Sequence, residues 1–133
     1  MVGKDVVGKI DRGLFVLVGV GEGDTKEDAM ILAEKLSKMR IMADEKDKMN
    51  LSIKEVGGSV LAVSQFTLYA DTSKGNRPSF IKAGKPEIAE KVYNHFVESL
   101  QGLGIETKTG KFGEYMNIDL HLDGPVTILL DSK

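Results

Sequence analysis

Few side chains in this sequence can do covalent chemistry at neutral pH. There is no cysteine, and the two histidines, His95 and His121, lie far apart. Disulfides, thiolate zinc sites and a cysteine nucleophile are therefore excluded. No HExxH pair is present to suggest a metal site. Neither a metal nor a cofactor is expected. What stands out is Ser64-Gln65-Phe66-Thr67, directly after the apolar run Val60-Leu61-Ala62-Val63. A buried strand that ends in mostly polar residues presents hydroxyls and an amide at the end of a sheet. Ser64 or Thr67 could attack a carbonyl with His121 as base. No GxSxG elbow is present, however, and no spacing brings these residues together. The residues alone define a polar site at a strand end. A second unusual segment is Asp123-Gly124-Pro125-Val126-Thr127. X-Pro bonds have access to the cis form, and a cis bond held by a fold makes a rigid turn with exposed backbone groups. An ordinary proline-containing hairpin turn accounts for the same residues.

The elements that must position these segments follow from periodicity and turn chemistry. Asp5 to Ile10 and Leu14 to Val20 read as strands, joined by Asp11-Arg12-Gly13. Leu14-Phe15-Val16-Leu17-Val18 is apolar without alternation, so both of its faces should be covered. Gly19-Val20-Gly21-Glu22-Gly23 is spaced GxGxG and lacks the P-loop Lys-Ser/Thr. It reads as a glycine-rich strand-to-helix turn. Asp24 and Thr25 are N-cap residues, with Glu27 and Asp28 placed to complete a capping box. The helix runs from Lys26 to about Met39, with its stripe on Ala29, Leu32, Ala33, Leu36 and Met39. Arg40 to Met42 and Asn50 to Ile53 read as short strands around the solvated turn Asp44 to Lys48. The buried strand then covers Ser59 to Phe66.

Residues Ala70 to Pro86 read as a loop, rich in Gly, Pro, Ser and Asn. Lys74, Arg77, Lys82 and Lys85 face a single acid there, Asp71. This is the clearest concentration of positive charge, either a solvated loop or a phosphate contact. Pro86 opens a second helix whose stripe is Ile88, Ala89, Val92, Tyr93, Phe96 and Leu100, ending near Gly102. Ile105 to Thr109, the alternating Tyr115 to Leu122 and the apolar Val126 to Leu130 read as three closing strands. The expected fold class is α/β with mixed sheets and two main helices.

The chain has 133 residues, which suits one domain spanning 1–133. Its net charge of −2 argues against a general nucleic-acid coat and against DNA as a partner. A local patch gripping one RNA end is compatible with it. No apolar run reaches the length of a membrane span, and the N-terminus carries no signal-peptide pattern. A soluble, cytoplasmic protein is expected.

Several short stretches, taken in order, resemble the D-aminoacyl-tRNA deacylases. They are Leu17-Val18-Gly19-Val20-Gly21 with Gly23-Asp24-Thr25, Lys48-Met49-Asn50-Leu51-Ser52, and Val63-Ser64-Gln65-Phe66-Thr67-Leu68-Tyr69-Ala70-Asp71. Arg77-Pro78-Ser79-Phe80, Thr109-Gly110-Lys111-Phe112-Gly113 and Gly124-Pro125-Val126-Thr127 complete the set. The order and spacing of the whole set carry the resemblance across nearly the entire chain.

That resemblance implies a three-layer ββα sandwich and a homodimer with active sites at the subunit interface. It implies hydrolysis of the ester between a D-amino acid, or glycine, and the terminal adenosine of tRNA. Ser64, Gln65, Phe66 and Thr67 would form the pocket beside the ester. Gly124 and Pro125 would reach into the partner's site, where backbone carbonyls reject an L side chain. Apart from the resemblance, the charge of the basic loop offers Lys74 and Arg77 as contacts for tRNA phosphates. Two departures from the family pattern are expected to matter. The chain begins after the family's leading strand with its Gln-Arg-Val, and Leu122 replaces an Asn that braces the Gly-Pro turn. Two other readings follow from the same residues: a non-catalytic binder of the tRNA end, and a small-ester hydrolase with Thr67 as nucleophile.

Overall fold

The computed structural model describes residues 1–133. In chain order the elements are β1 (Gly13–Val18), α1 (Lys26–Lys38), β2 (Met42–Ala43), β3 (Met49–Leu51), β4 (Ser59–Ser64), a 3₁₀ turn (Phe66–Tyr69), α2 (Pro86–Gly102) and β5 (Thr107–Thr109). The expected α/β class with two helices and mixed sheets is borne out. Three parallel strands form one sheet in the order β1-β4-β5, and β2-β3 form an antiparallel pair.

Both helices form where the sequence signals them. Thr25 caps α1, and its N–H donates to Asp28 Oδ2 at 2.8 Å to close a capping box. Pro86 supplies the first residue of α2, where its missing N–H costs no helical bond. Helix α1 buries Ala29, Ala33 and Leu36, while α2 buries Val92, Tyr93, Phe96, Val97 and Leu100. The small alanines let the two helices lie close together, and both stripes join one core with Val60 and Ala62 of β4. Leu100 is fully buried, so truncating it to alanine costs about 2–5 kcal/mol. The Tyr93 hydroxyl, deep in this core, donates to the Ala62 carbonyl at 2.6 Å.

The central strand β4 is locked on both sides. It pairs with β1 from Gly13↔Ser59 to Val18↔Ser64, and with β5 from Val60↔Thr107 to Ala62↔Thr109. Gly13 is indispensable to this register, because a Cβ there would fall 1.7 Å from the Ser59 carbonyl oxygen. Since all three strands run parallel, their carboxyl ends share one end of the sheet. In open α/β sheets ligands gather at that end.

Three expected strands are not formed. Asp5 to Ile10 has no ladder beyond a single Val2–Asp5 bridge, and Tyr115 to Leu122 and Val126 to Leu130 are irregular. Alternation reports which side chains share a face but does not supply a neighbouring strand, and a ladder needs one. Asn117 exchanges backbone hydrogen bonds only with Met1. The apolar side chains of these closing segments accordingly stay exposed, including Ile118, Leu120, Val126 and Leu129. The expectation that both faces of β1 are covered also fails. Leu14, Val16 and Val18 pack on the core, whereas Leu17 on the other face is exposed.

Candidate active site

At the carboxyl end of β4 the ladder continues for one residue past Ser64. Gln65 N–H donates to the Val18 carbonyl at 2.9 Å, and the chain then turns away. The turn is 3₁₀, closed by Leu68 N–H to Gln65 O at 3.4 Å and Ala70 N–H to Thr67 O at 3.0 Å. A helical turn cannot use its leading N–H groups internally. Here those groups belong to Phe66 and Thr67, at an exposed corner. The Thr67 hydroxyl donates to Gln65 Oε1 at 2.6 Å. An amide oxygen is a poor proton acceptor, so this contact orients the hydroxyl without activating it. His121 is exposed in the irregular C-terminal segment, and His95 faces Glu98 on α2 at 3.8 Å.

The turn rests on the glycine-rich segment after β1. A Cβ on Gly19 would lie 3.1 Å from the Leu68 side chain, and one on Gly21 would lie 2.7 Å from the Tyr69 hydroxyl oxygen. These glycines therefore make room for the turn, which accounts for a GxGxG that lacks the P-loop Lys-Ser/Thr. Asp24 stands behind them, its Oδ2 accepting the Gly21 N–H at 2.7 Å. Burial first, then the nearby carboxylates of Asp24 and Asp131, raise the Tyr69 hydroxyl above its ordinary pKa.

The basic loop folds back beside the turn. Asp71 and Ser79 exchange two backbone hydrogen bonds, each 2.8 Å, and Lys82 reaches Asp71 at 3.6 Å. Glu22 N–H to Lys82 O and Gly84 N–H to Val20 O, both 2.8 Å, tie the loop's far end to the glycine-rich segment. This delivers Phe80 to Phe66, ring centroids 4.9 Å apart and edge-on at 67°. A shallow groove of about 410 Å³ runs from Leu68 to Ser73 with Lys82 at its side. Lys74 and Arg77 are exposed and make no salt bridge.

Of the residues singled out from sequence, the structure thus assembles Ser64, Gln65, Phe66 and Thr67 with the basic loop. It does not bring Gly124 to them within one chain. Gly124–Pro125 is a cis peptide, with Gly124 at φ +127°. Beyond its own chain neighbours, a Cβ built on Gly124 would meet only Val126 within 4 Å. Leu122 beside it is exposed. Tyr69, Phe80, Gly19 and Gly21 were missed as site residues, because their roles depend on contacts between distant segments. Only their presence in the matched family stretches marked them.

The arrangement is that of a mixed α/β protein with a polar, backbone-rich turn at the carboxyl end of its parallel sheet. The model of the D-Tyr-tRNA(Tyr) deacylase family matches residues 1–131. The chain is 53% identical over 133 residues to a D-aminoacyl-tRNA deacylase of Dehalococcoides mccartyi, covering 100% of this chain and 87% of that protein. It is 55% identical over 132 residues to the protein of that name from Bacillus licheniformis, covering 99% and 90%. Among solved structures, one described as a c-Myc DNA unwinding element binding protein superposes with a TM-score of 0.88. It is 38% identical, over 96% of this chain and 87% of that one. A probable eukaryotic D-amino acid tRNA deacylase shares the fold, with a TM-score of 0.73 at 16% identity over 86% and 83% of the two chains. The chain belongs to the D-Tyr-tRNA(Tyr) deacylase family.

Proposed function

We propose that this chain hydrolyses the ester joining a D-amino acid, or glycine, to the 3′-terminal adenosine of tRNA, a proofreading step in translation. The observation that carries the reading is the exposed turn that opens with the Phe66 and Thr67 N–H groups. Two adjacent backbone donors at a strand end can receive the oxyanion that forms when water attacks an ester carbonyl. Ser64 and Gln65 line the same corner, and Thr67 holds the substrate in place through its hydroxyl. Lys74 and Arg77 meet the tRNA backbone, the arrangement favoured by two exposed cations with no competing carboxylate.

Gly124 and Pro125 act on the site of a partner subunit in a homodimer. Support comes from the exposed apolar side chains on both sides of the pair, Leu122 and Val126, together with Leu129, which is 89% exposed. A second copy covering them would remove this surface from water. Backbone atoms at such a gate reject an L side chain by collision, which is specificity through exclusion of the wrong substrate. The reaction belongs in the cytoplasm, where tRNA is charged. No helix is long and apolar enough to cross a membrane.

Thr67→Ala tests the mechanism. A positioning hydroxyl predicts single-turnover hydrolysis of D-tyrosyl-tRNA within about tenfold of the parent. Loss on the order of 10⁶, the scale set by removing a nucleophile, would make Thr67 the attacking group. Binding of charged tRNA without any hydrolysis by the parent would leave a tRNA-end binder. The description of one structural neighbour refers to that protein's DNA binding. Competition of charged tRNA binding by duplex DNA would show whether the same loop accepts it.

A further inference from the structure

The residues after Pro125 lead back to the support of the catalytic turn. Leu130 is half-buried and packs on the core. Lys133 Nζ lies 3.1 Å from Asp28 Oδ1 and 3.3 Å from Asp24 Oδ1. The backbone N–H of Lys133 also donates to Asp131 Oδ1 at 3.0 Å. The two acids it bridges are already engaged elsewhere. Asp28 closes the capping box of α1 at Thr25, and Asp24 accepts the Gly21 N–H on which Tyr69 is packed.

We propose that Lys133 is a positioning residue that ties the Gly124–Pro125 segment to the turn carrying Phe66 and Thr67. The proposal rests on the deacylase reading above. The contacts begin at Leu130, five residues after Pro125. Leu130 and Lys133 fix the far end of the segment that follows Pro125, Lys133 holds Asp24, Asp24 holds Gly21, and Gly21 seats Tyr69 at the end of the 3₁₀ turn. A surface ion pair alone would carry little weight. Here, however, the side chains of Asp24 and Asp28 are only 10% and 17% exposed, and a single ammonium serves both. Removing it leaves two neighbouring carboxylates in a sheltered place without their shared cation. A gate that discriminates by collision needs its backbone held in place, and an anchored tail supplies that restraint.

The test compares Lys133→Met with Lys133→Arg, which keeps the charge. Two readouts are taken: deacylation of D- and L-tyrosyl-tRNA, and amide hydrogen exchange of the full chain. In the Met variant, kcat for the D-ester falls about fivefold, the scale of a modest ion pair. KM is unchanged, the D-over-L preference drops, and Arg restores both. Exchange rises at the hydrogen-bonded amides of Gly21, Asp24, Leu68 and Ala70. A purely structural role would instead lower the melting temperature and leave the D-over-L preference alone. Unchanged preference, or unchanged exchange at those amides, overturns the proposal. If the parent cleaves neither ester, the deacylase reading fails first. The exchange data then decide by themselves whether the tail and the turn are tied.

Discussion

Gly21→Ala separates the support of the Phe66–Tyr69 turn from the chemistry proposed for it. The new Cβ would sit 2.7 Å from Tyr69 Oη, 2.8 Å from Cζ and 2.9 Å from Cε1. Carbon atoms settle at about 3.5–4.0 Å, so the ring must retreat by roughly 1 Å. Gly21 is buried and its N–H is held by Asp24, so most of the movement falls on Tyr69. Overpacking of this kind costs about 1–3 kcal/mol, and the lower end applies because the contact is with the far end of a ring. Gly23→Ala is the matched control. Gly23 has φ +87° with nothing within 4 Å of its Cβ position. Its penalty is backbone strain alone, about 1–2 kcal/mol. Both variants should therefore melt a few degrees low, at about 4 °C per kcal/mol. Only Gly21→Ala should slow single-turnover deacylation, by at least about tenfold, because it displaces the turn by a distance that can cost about 100-fold. Adding Tyr69→Ala to Gly21→Ala should cost less than the two single changes combined, since it removes the collision. Parent-like turnover in Gly21→Ala would refute the view that Tyr69 and the glycine segment set the turn.

Three further outcomes follow from the same geometry. Tyr93→Phe should destabilise the chain by about 1–2 kcal/mol, since the Ala62 carbonyl loses a buried donor. Burial pushes the Tyr93 hydroxyl up to about 12, above its ordinary 10.0. The parent should then lose stability as pH rises from 10 towards 12, because only the unfolded tyrosine ionises readily there, and denaturant titration of the Phe variant should lack that component. At the acid end, the Thr25 N–H and then Lys133 hold Asp28 at about 2, below its ordinary 3.8. Its contribution is complete above about 4 and disappears as pH falls towards 2, so Asp28→Asn should flatten the melting temperature across that window. Reversing charge at Lys74 and Arg77 should raise KM for charged tRNA and reduce the salt dependence of binding by roughly one unit of slope per lost phosphate contact. An unchanged slope would remove both residues from the tRNA interface.

Much of the frame could be read in advance, for local reasons. Thr25 with Asp28, Pro86, and stripes such as Val92, Phe96 and Leu100 encode helices within a few turns of chain. The apolar run Val60 to Val63 encodes a buried strand in the same way. The closing segments misled because Ile118, Leu120 and Leu122 share a face but have no strand beside them in one chain. The site was half legible. Residues 64 to 67 announce themselves by polarity after an apolar run. Gly19 and Gly21, by contrast, are small because of Leu68 and Tyr69, some fifty residues away. Phe80 meets Phe66 only because the loop closes through Asp71 and Ser79. Such tertiary reasons leave no local periodicity to detect.

The most direct measurement is deacylation of matched D-tyrosyl-tRNA and L-tyrosyl-tRNA by this 133-residue chain. Rapid loss of the D-ester with the L-ester intact is the predicted result. Equal loss of both would contradict the gate assigned to Gly124 and Pro125, and survival of both would contradict the hydrolysis assigned to the turn at Phe66 and Thr67.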